Sequence, residues 1–292
     1  MTTAPGWFTA AVEAPVTERT VTVDGCQVAY RQWGERTAPV LLLVHGGWAH
    51  SRWWDHIGPL LTDPWQVRAI DLSGHGASGR RERYEWRTWA TETLAVASEG
   101  GGDRRPVIVA HSMGARVALR AAQRAGASVA GVVLVDAAVV RTPGDAPAPD
   151  LRPLRPHRIY ATEADALAHF HLQPPQPVAL PYVLAHIAQH SVCAIPGGWS
   201  WKFDPATELV RREPERDPLG PVEAPVTIVR GEHGRVTPEG VAALEAVLRR
   251  PVPVVEIARA YHHVMIDEPL ALVEAISGIC APWSSSTRPG AP

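Results

Sequence analysis

Val107-Ile108-Val109-Ala110-His111-Ser112-Met113-Gly114-Ala115-Arg116-Val117-Ala118-Leu119 changes character in its middle. The first residues are β-branched and apolar, as a buried strand requires, and the last are alanine-rich, as a helix prefers. Ser112 stands at the break. A strand that becomes a helix within a few residues forces the residue at the turn into a cramped backbone conformation, so its neighbours must be small. Ala110 and Gly114 meet that need. Such a turn exposes the serine oxygen above the sheet and leaves the Met113 amide at a helix N-terminus, where it can stabilise a developing negative charge. Without that context Ser112 reads as an ordinary helix cap.

Two stretches upstream belong to the same sheet. Val40-Leu41-Leu42-Leu43-Val44 is apolar throughout, the pattern of a strand covered on both faces, and it runs straight into His45-Gly46-Gly47-Trp48. The paired glycines either let the backbone approach a ligand or simply make a tight turn. Gln66 to Asp71 reads as a further strand, continuing into Asp71-Leu72-Ser73-Gly74-His75-Gly76-Ala77-Ser78.

The small-x-Ser-x-small pattern, the His-Gly-Gly-Trp loop and this D-x-x-G-x-G-x-S loop resemble the α/β-hydrolase superfamily, with Ala110 where a glycine is commoner. The resemblance runs from about Thr20 to Ala281. It implies an α/β fold whose mostly parallel eight-stranded sheet is flanked by helices, with Ser112 as nucleophile and the amides of Met113 and Gly47 as the oxyanion hole. Asp71 and Ser78 are read as residues that hold their own loop by side-chain to backbone bonds.

At 292 residues the chain suits one large α/β domain with an insertion. Its 28 basic and 30 acidic residues are interspersed, which excludes a dedicated nucleic-acid surface. Cys26, Cys193 and Cys280 form no C-x-x-C motif and cannot all pair with one another, which favours a reducing compartment. No basic and apolar leader is seen at Met1 to Ala14, and no stretch approaches the roughly 18 apolar residues of a membrane helix. The expected location is the cytoplasm, and no oligomeric state is specified.

Residues 1–19 read as a loose arm. Asp24-Gly25 between alternating segments signals a hairpin. A helix is expected over about 52–61. Residues 20–140 and 206–281 are assigned to the core, and 282–292 to a disordered tail. Between the core halves, prolines crowd Pro143 to Pro156, and helical segments follow at about 162–170 and 181–191. This insertion, 141–205, matches the helical cap found after the sixth strand in the resembling family. Its histidines at 157, 169, 171, 186 and 190 lack the spacing and carboxylate company of a zinc site, so no metal is assigned. No organic cofactor is required either.

A serine alcohol needs a base, and the base needs a partner to fix its tautomer. By resemblance the base is His262, which follows the last strand and precedes Asp267-Glu268-Pro269; the adjacent His263 is its rival. The acid is less ordinary. Many relatives carry an aspartate after the seventh strand in a G-x-x-D-x-x-x-P loop, and here Gly234 takes its place within Gly231 to Pro238. Asp136, at the end of the sixth strand, is the alternative seen in some members. Glu232 is a second candidate.

The set Ser112, Asp136 and His262 implies hydrolysis of a carboxylic ester or lactone through an acyl-enzyme. Trp48, Trp53, Trp54, Trp199 and Trp201 are expected to line a pocket for the hydrophobic part of a small-molecule substrate. Thioester or C-C bond cleavage would use the same scaffold. A non-catalytic protein binding a small molecule or partner is the remaining alternative.

Overall fold

The computed structural model describes residues 3–100, 102–140, 154, 156–212 and 218–287. A helix α1 (Gly6–Val12) precedes strands β1 (Thr17–Val23) and β2 (Cys26–Trp33). Then come β3 (Val40–Val44), β4 (Gln66–Ile70), α2 (Trp86–Ser98), β5 (Val107–His111), α3 (Met113–Ala125) and β6 (Gly131–Val135). The insertion contributes α4 (Glu163–Ala168), α5 (Pro181–Ser191), β7 (Val192–Ile195) and β8 (Gly198–Trp201). The chain ends with α6 (Leu209–Arg212), β9 (Val226–Gly231), α7 (Pro238–Leu248), β10 (Val254–Ile257), α8 (Val264–Asp267) and α9 (Pro269–Cys280).

Eight strands form one sheet in the order β1-β2-β4-β3-β5-β6-β9-β10. The β1–β2 and β2–β4 pairs are antiparallel and the others parallel. The apolar runs predict this well, because a strand with helices on both faces has no polar side. Leu41, Leu42, Leu43, Val107, Val109, Val132 and Leu134 are fully buried, each side chain stabilising the fold by about 1.5–3 kcal/mol relative to exposure. The carboxyl ends of β3, β5, β6 and β9 therefore converge on one edge of a packed slab, and the loops leaving them share one space.

Four expectations need correction. The N-terminal arm is not loose: α1 forms because Phe8 and Ala11 bury, with Phe8 packed edge-on against Tyr182 of α5 at 4.9 Å. The helix expected over 52–61 is two short 3-10 turns, Ser51–Trp54 and Gly58–Leu61, since Pro59 lacks the amide that would continue the first into the second. The cap is not wholly helical, because Pro196-Gly197 turns β7 back onto β8 as a hairpin. The tail is ordered as far as Thr287: Trp283 packs on Gly131, Ser286 accepts from the Arg105 amide at 2.9 Å, and Thr287 bridges Arg104. Residues 141–153, with most of the proline-rich stretch, and residues 288–292 lie outside the described part.

Among the described residues no helix is long and apolar enough to cross a membrane.

Candidate active site

β5 ends at His111, and Ser112 turns the chain into α3 with φ 52° and ψ −120°. That left-handed backbone strains any residue with a Cβ, and the surroundings enforce it. The Ser112 amide donates to Val135 O of β6 at 3.1 Å. α3 then passes so close to β3 that a Cβ at Gly114 would lie 2.4 Å from His45 O. Only glycine permits that approach. Met113 opens α3, so its amide belongs to the first turn, which has no intrahelical acceptor.

Asp136 follows β6 with φ 41° and is fully buried. Its carboxylate accepts from the amide of Gly231, the last residue of β9, at 3.2 Å and from that of Arg235, in the loop that follows, at 2.9 Å. The remaining partner is His262. Since a carboxylate only accepts, His262 Nδ1 donates to Asp136 Oδ2 at 2.7 Å, and Nε2 is left to accept from Ser112 Oγ at 3.0 Å. The three residues form one directed hydrogen-bond chain. His262 sits in the loop after β10, where His111 Nε2 donates to the His262 carbonyl at 2.9 Å.

The rivals lie elsewhere. Glu232 is exposed and its carboxylate accepts from the Arg259 amide at 2.8 Å. His263 also lines the space over Ser112 but makes no hydrogen bond to it, and its ring rests against Trp53 with centroids 5.4 Å apart. Burial, reinforced by the charge of His262, drives its pKa down to about 3, while carbonyls of Pro174 and Gln173 oppose this weakly. His111 is likewise pushed well below the ordinary range, chiefly by burial and then by His262 and His263. Both imidazoles are neutral near neutral pH, so the charge that can form on His262 is balanced by Asp136.

A cavity of about 360 Å³ opens over Ser112, walled by Gly47, Trp48, Trp53, Met113, His262 and Gln173. A larger one of about 770 Å³ lies under the cap and shares Gly47, Trp48, Trp53 and Gln173 with it. Phe170, Leu172 and Trp201 give it an apolar wall. Of the five tryptophans expected at the substrate, Trp48, Trp53 and Trp201 line these spaces. Trp54 does not. Successive residues of a 3-10 turn point about 120° apart, and Trp54 is fully buried in the core. Trp199 does not line them either; two residues before Trp201 on the same strand, it pairs with Tyr160 and packs within the cap.

The cap histidines are bound one by one: His157 to Phe203 O at 2.6 Å, His169 to Asp165 O, His171 to His169 O, His186 to Asp55 at 3.0 Å, and His190 to His186 O. The three-histidine group among the described residues whose ligand atoms fall within 4.8 Å of one another is His111, His262 and His263. Both ring nitrogens of His262 already serve Asp136 and Ser112, so a cation there would compete with that chain. Asp71 behaves as expected, accepting from the amides of Ser51 and Ala77 and holding its loop.

Two contributors escaped the sequence reading. His111 gives a mild signal, a polar side chain ending a buried strand. Gln176 gives none: it lies in a Pro-rich connection, yet its Oε1 accepts from the His263 amide at 2.9 Å and its Nε2 donates to Asp267. The cap is thereby tied to the histidine loop.

The chain belongs to the α/β hydrolase family, whose sequence profile matches residues 41–275. It is similar to an esterase of Mycobacterium tuberculosis, 29% identical over 290 residues covering 92% of this chain and 91% of the relative. Lipase LipV of the same organism is 29% identical over 233 residues, 74% of this chain and 83% of the lipase. The fold is shared with the thioesterase domain from the curacin biosynthetic pathway, at a TM-score of 0.74 and 22% identity over 90% of this chain and 99% of that domain. E-2-(acetamidomethylene)succinate hydrolase shares it too, with TM-score 0.72 and 22% identity over 91% of this chain and 100% of that one.

Proposed function

We propose that this protein is a serine hydrolase that cleaves a carboxylic ester or lactone carrying a hydrophobic part. The observation that carries the reading is the directed chain Ser112, His262, Asp136 beneath a cavity that continues into an apolar space. The esterase and lipase names of the similar proteins support the ester as substrate.

In this reading Ser112 Oγ attacks the ester carbonyl as His262 Nε2 takes its proton. The oxyanion is held by the amides of Met113 and Gly47, each such donor being worth about 3 kcal/mol to the transition state. His262 gives the proton to the leaving alcohol; it then takes one from a water that attacks the acyl carbonyl and gives it to Ser112 Oγ as the acyl bond breaks, releasing the carboxylic acid. Asp136 keeps the Nδ1-protonated tautomer and balances the imidazolium. The hydrophobic part lies against Trp53, Phe170 and Trp201 under the cap. The thiols of Cys26, Cys193 and Cys280 are all free, which supports a reducing location such as the cytoplasm.

Labelling with an alkyl fluorophosphonate tests the nucleophile directly. One phosphonyl adduct is expected on the Ser112 peptide by mass spectrometry, absent from Ser112→Ala. An unlabelled wild type, or an adduct elsewhere that survives Ser112→Ala, overturns the reading.

A further inference from the structure

A third cavity lies at the opposite end of the sheet. It has a volume of about 420 Å³ and opens at the amino ends of β3 and β4, against the C-terminal end of α2. Substrates of open α/β sheets bind at the carboxyl ends of the strands, so this space is remote from Ser112.

Arg68 forms its floor. It is a charged residue in a strand whose five members are all buried, and is itself only 5% exposed. Its guanidinium donates to Gln66 Oε1, to Val96 O at 2.6 Å and to Glu99 O at 3.0 Å, and it lies 5.8 Å from the Tyr30 ring centre. Every one of those acceptors is a neutral oxygen. Glu99 brings the nearby carboxylate, and one of its oxygens accepts from the Tyr30 hydroxyl. That hydroxyl stays protonated, its pKa pushed up to about 12 by burial and then by Glu99.

The rim adds more positive charge than Glu99 offsets. Arg19, Arg36 and Arg104 line the same space, with Asp103 as the second carboxylate. Arg19 stands opposite Tyr30 in the β1–β2 register, and its Nε is buried with no acceptor. Burial pushes the Arg68 pKa down; Tyr30 and Glu99 oppose the shift, whereas Arg19 and Arg36 add to it. A concave, partly enclosed surface focuses such a field. Guanidinium forks match the planar or tetrahedral oxygens of carboxylate and phosphate, usually through two parallel bonds.

We propose that this cavity is a second binding site, for the phosphate or carboxylate group of a small molecule, with Arg19 and Arg36 closing on the anion over Arg68. Neither arginine belongs to the machinery around Ser112.

Thermal melting of the full chain with increasing inorganic phosphate, or with succinate, at ionic strength matched by potassium chloride, tests the site. A ligand of the folded state raises Tm in a saturable way. The expected result is a saturable rise with phosphate, succinate or both, and the tighter anion names the group. In the double variant Arg19→Gln/Arg36→Gln the apparent affinity should fall at least about tenfold, while hydrolysis of a short ester stays within about twofold of wild type. No rise beyond the chloride control, or an unchanged affinity in the double variant, overturns the proposal.

Discussion

Gly234 and Asp136 fill one volume: a Cβ at Gly234 would lie 2.0 Å from Asp136 Oδ1. The loop after β9 is bare at Gly234, and the carboxylate from the end of β6 sits in the space a side chain there would take. Gly231, at the end of β9, and Arg235 of that loop supply the amides that hold it. Gly234→Ala should therefore push the carboxylate off His262. The expected result is a kcat/KM lower by about 10²-fold or more, read with a chromogenic ester.

The two acid positions should also be interchangeable in chemistry. Asp136→Ala is expected to lower kcat by about 10³ to 10⁴-fold, as for loss of the acid in comparable triads. Asp136→Ala/Gly234→Asp should recover at least about tenfold of that, because the new carboxylate starts within the vacated space. A double variant no faster than the single one would show that the volume is not shared in this way.

Glu232 and His263 offer controls on the same loops. Glu232→Gln keeps an acceptor for the Arg259 amide and should leave kcat/KM within about twofold. His263→Phe should retain the pH profile of the wild type on a short ester, since the ring is neutral and bonds nothing at Ser112.

Substrate length should be read by the cap. Trp201→Ala removes apolar wall from the larger cavity, so KM for an octanoate ester should rise about five- to tenfold while that for an acetate ester barely moves. Equal effects on both esters would place the hydrophobic part elsewhere.

Acid should destabilise the fold through its buried histidines, an effect partly offset by Asp267, whose carboxyl burial pushes up to about 6 so that the native state takes up that proton first. His56 is fully buried, and its pKa is lowered to about 4 by burial against the opposing bond to Met265 O; His263 is lowered to about 3. In the unfolded chain a histidine titrates near about 6.5, so below that pH the unfolded state binds protons that the native state refuses. The stability these neutral rings contribute is complete above about pH 6.5 and is lost as pH falls towards their folded values. Each contributes a slope of about 1.4 kcal/mol per pH unit in that window. Tm should be flat from pH 8 to 7 and fall clearly by pH 5.

The central strands were legible in the sequence because β3, β5 and β6 are buried on both faces and carry apolar runs that lead into the His45-Gly46-Gly47 loop, Ser112 and Asp136, where the site begins. Ser112 was legible through its small neighbours. The choice between Asp136 and Glu232 was not settled by spacing, since it depends on a volume exchange with Gly234 that only three dimensions reveal. Trp54 and Trp199 misled because a tryptophan is equally at home in a core and at a ligand: Trp54 is turned into the core, and Trp199, on the same strand face as Trp201, is taken up by contacts within the cap. Gln176 left no trace, because one amide in a proline-rich connection acquires its role from the loop it happens to meet.

The central claim is tested most directly by steady-state hydrolysis of chromogenic esters of graded acyl length by the wild type and by Ser112→Ala. The expected result is turnover by the wild type that rises with chain length and falls by about 10⁴-fold or more in Ser112→Ala. A wild type no faster than Ser112→Ala on every ester would contradict it.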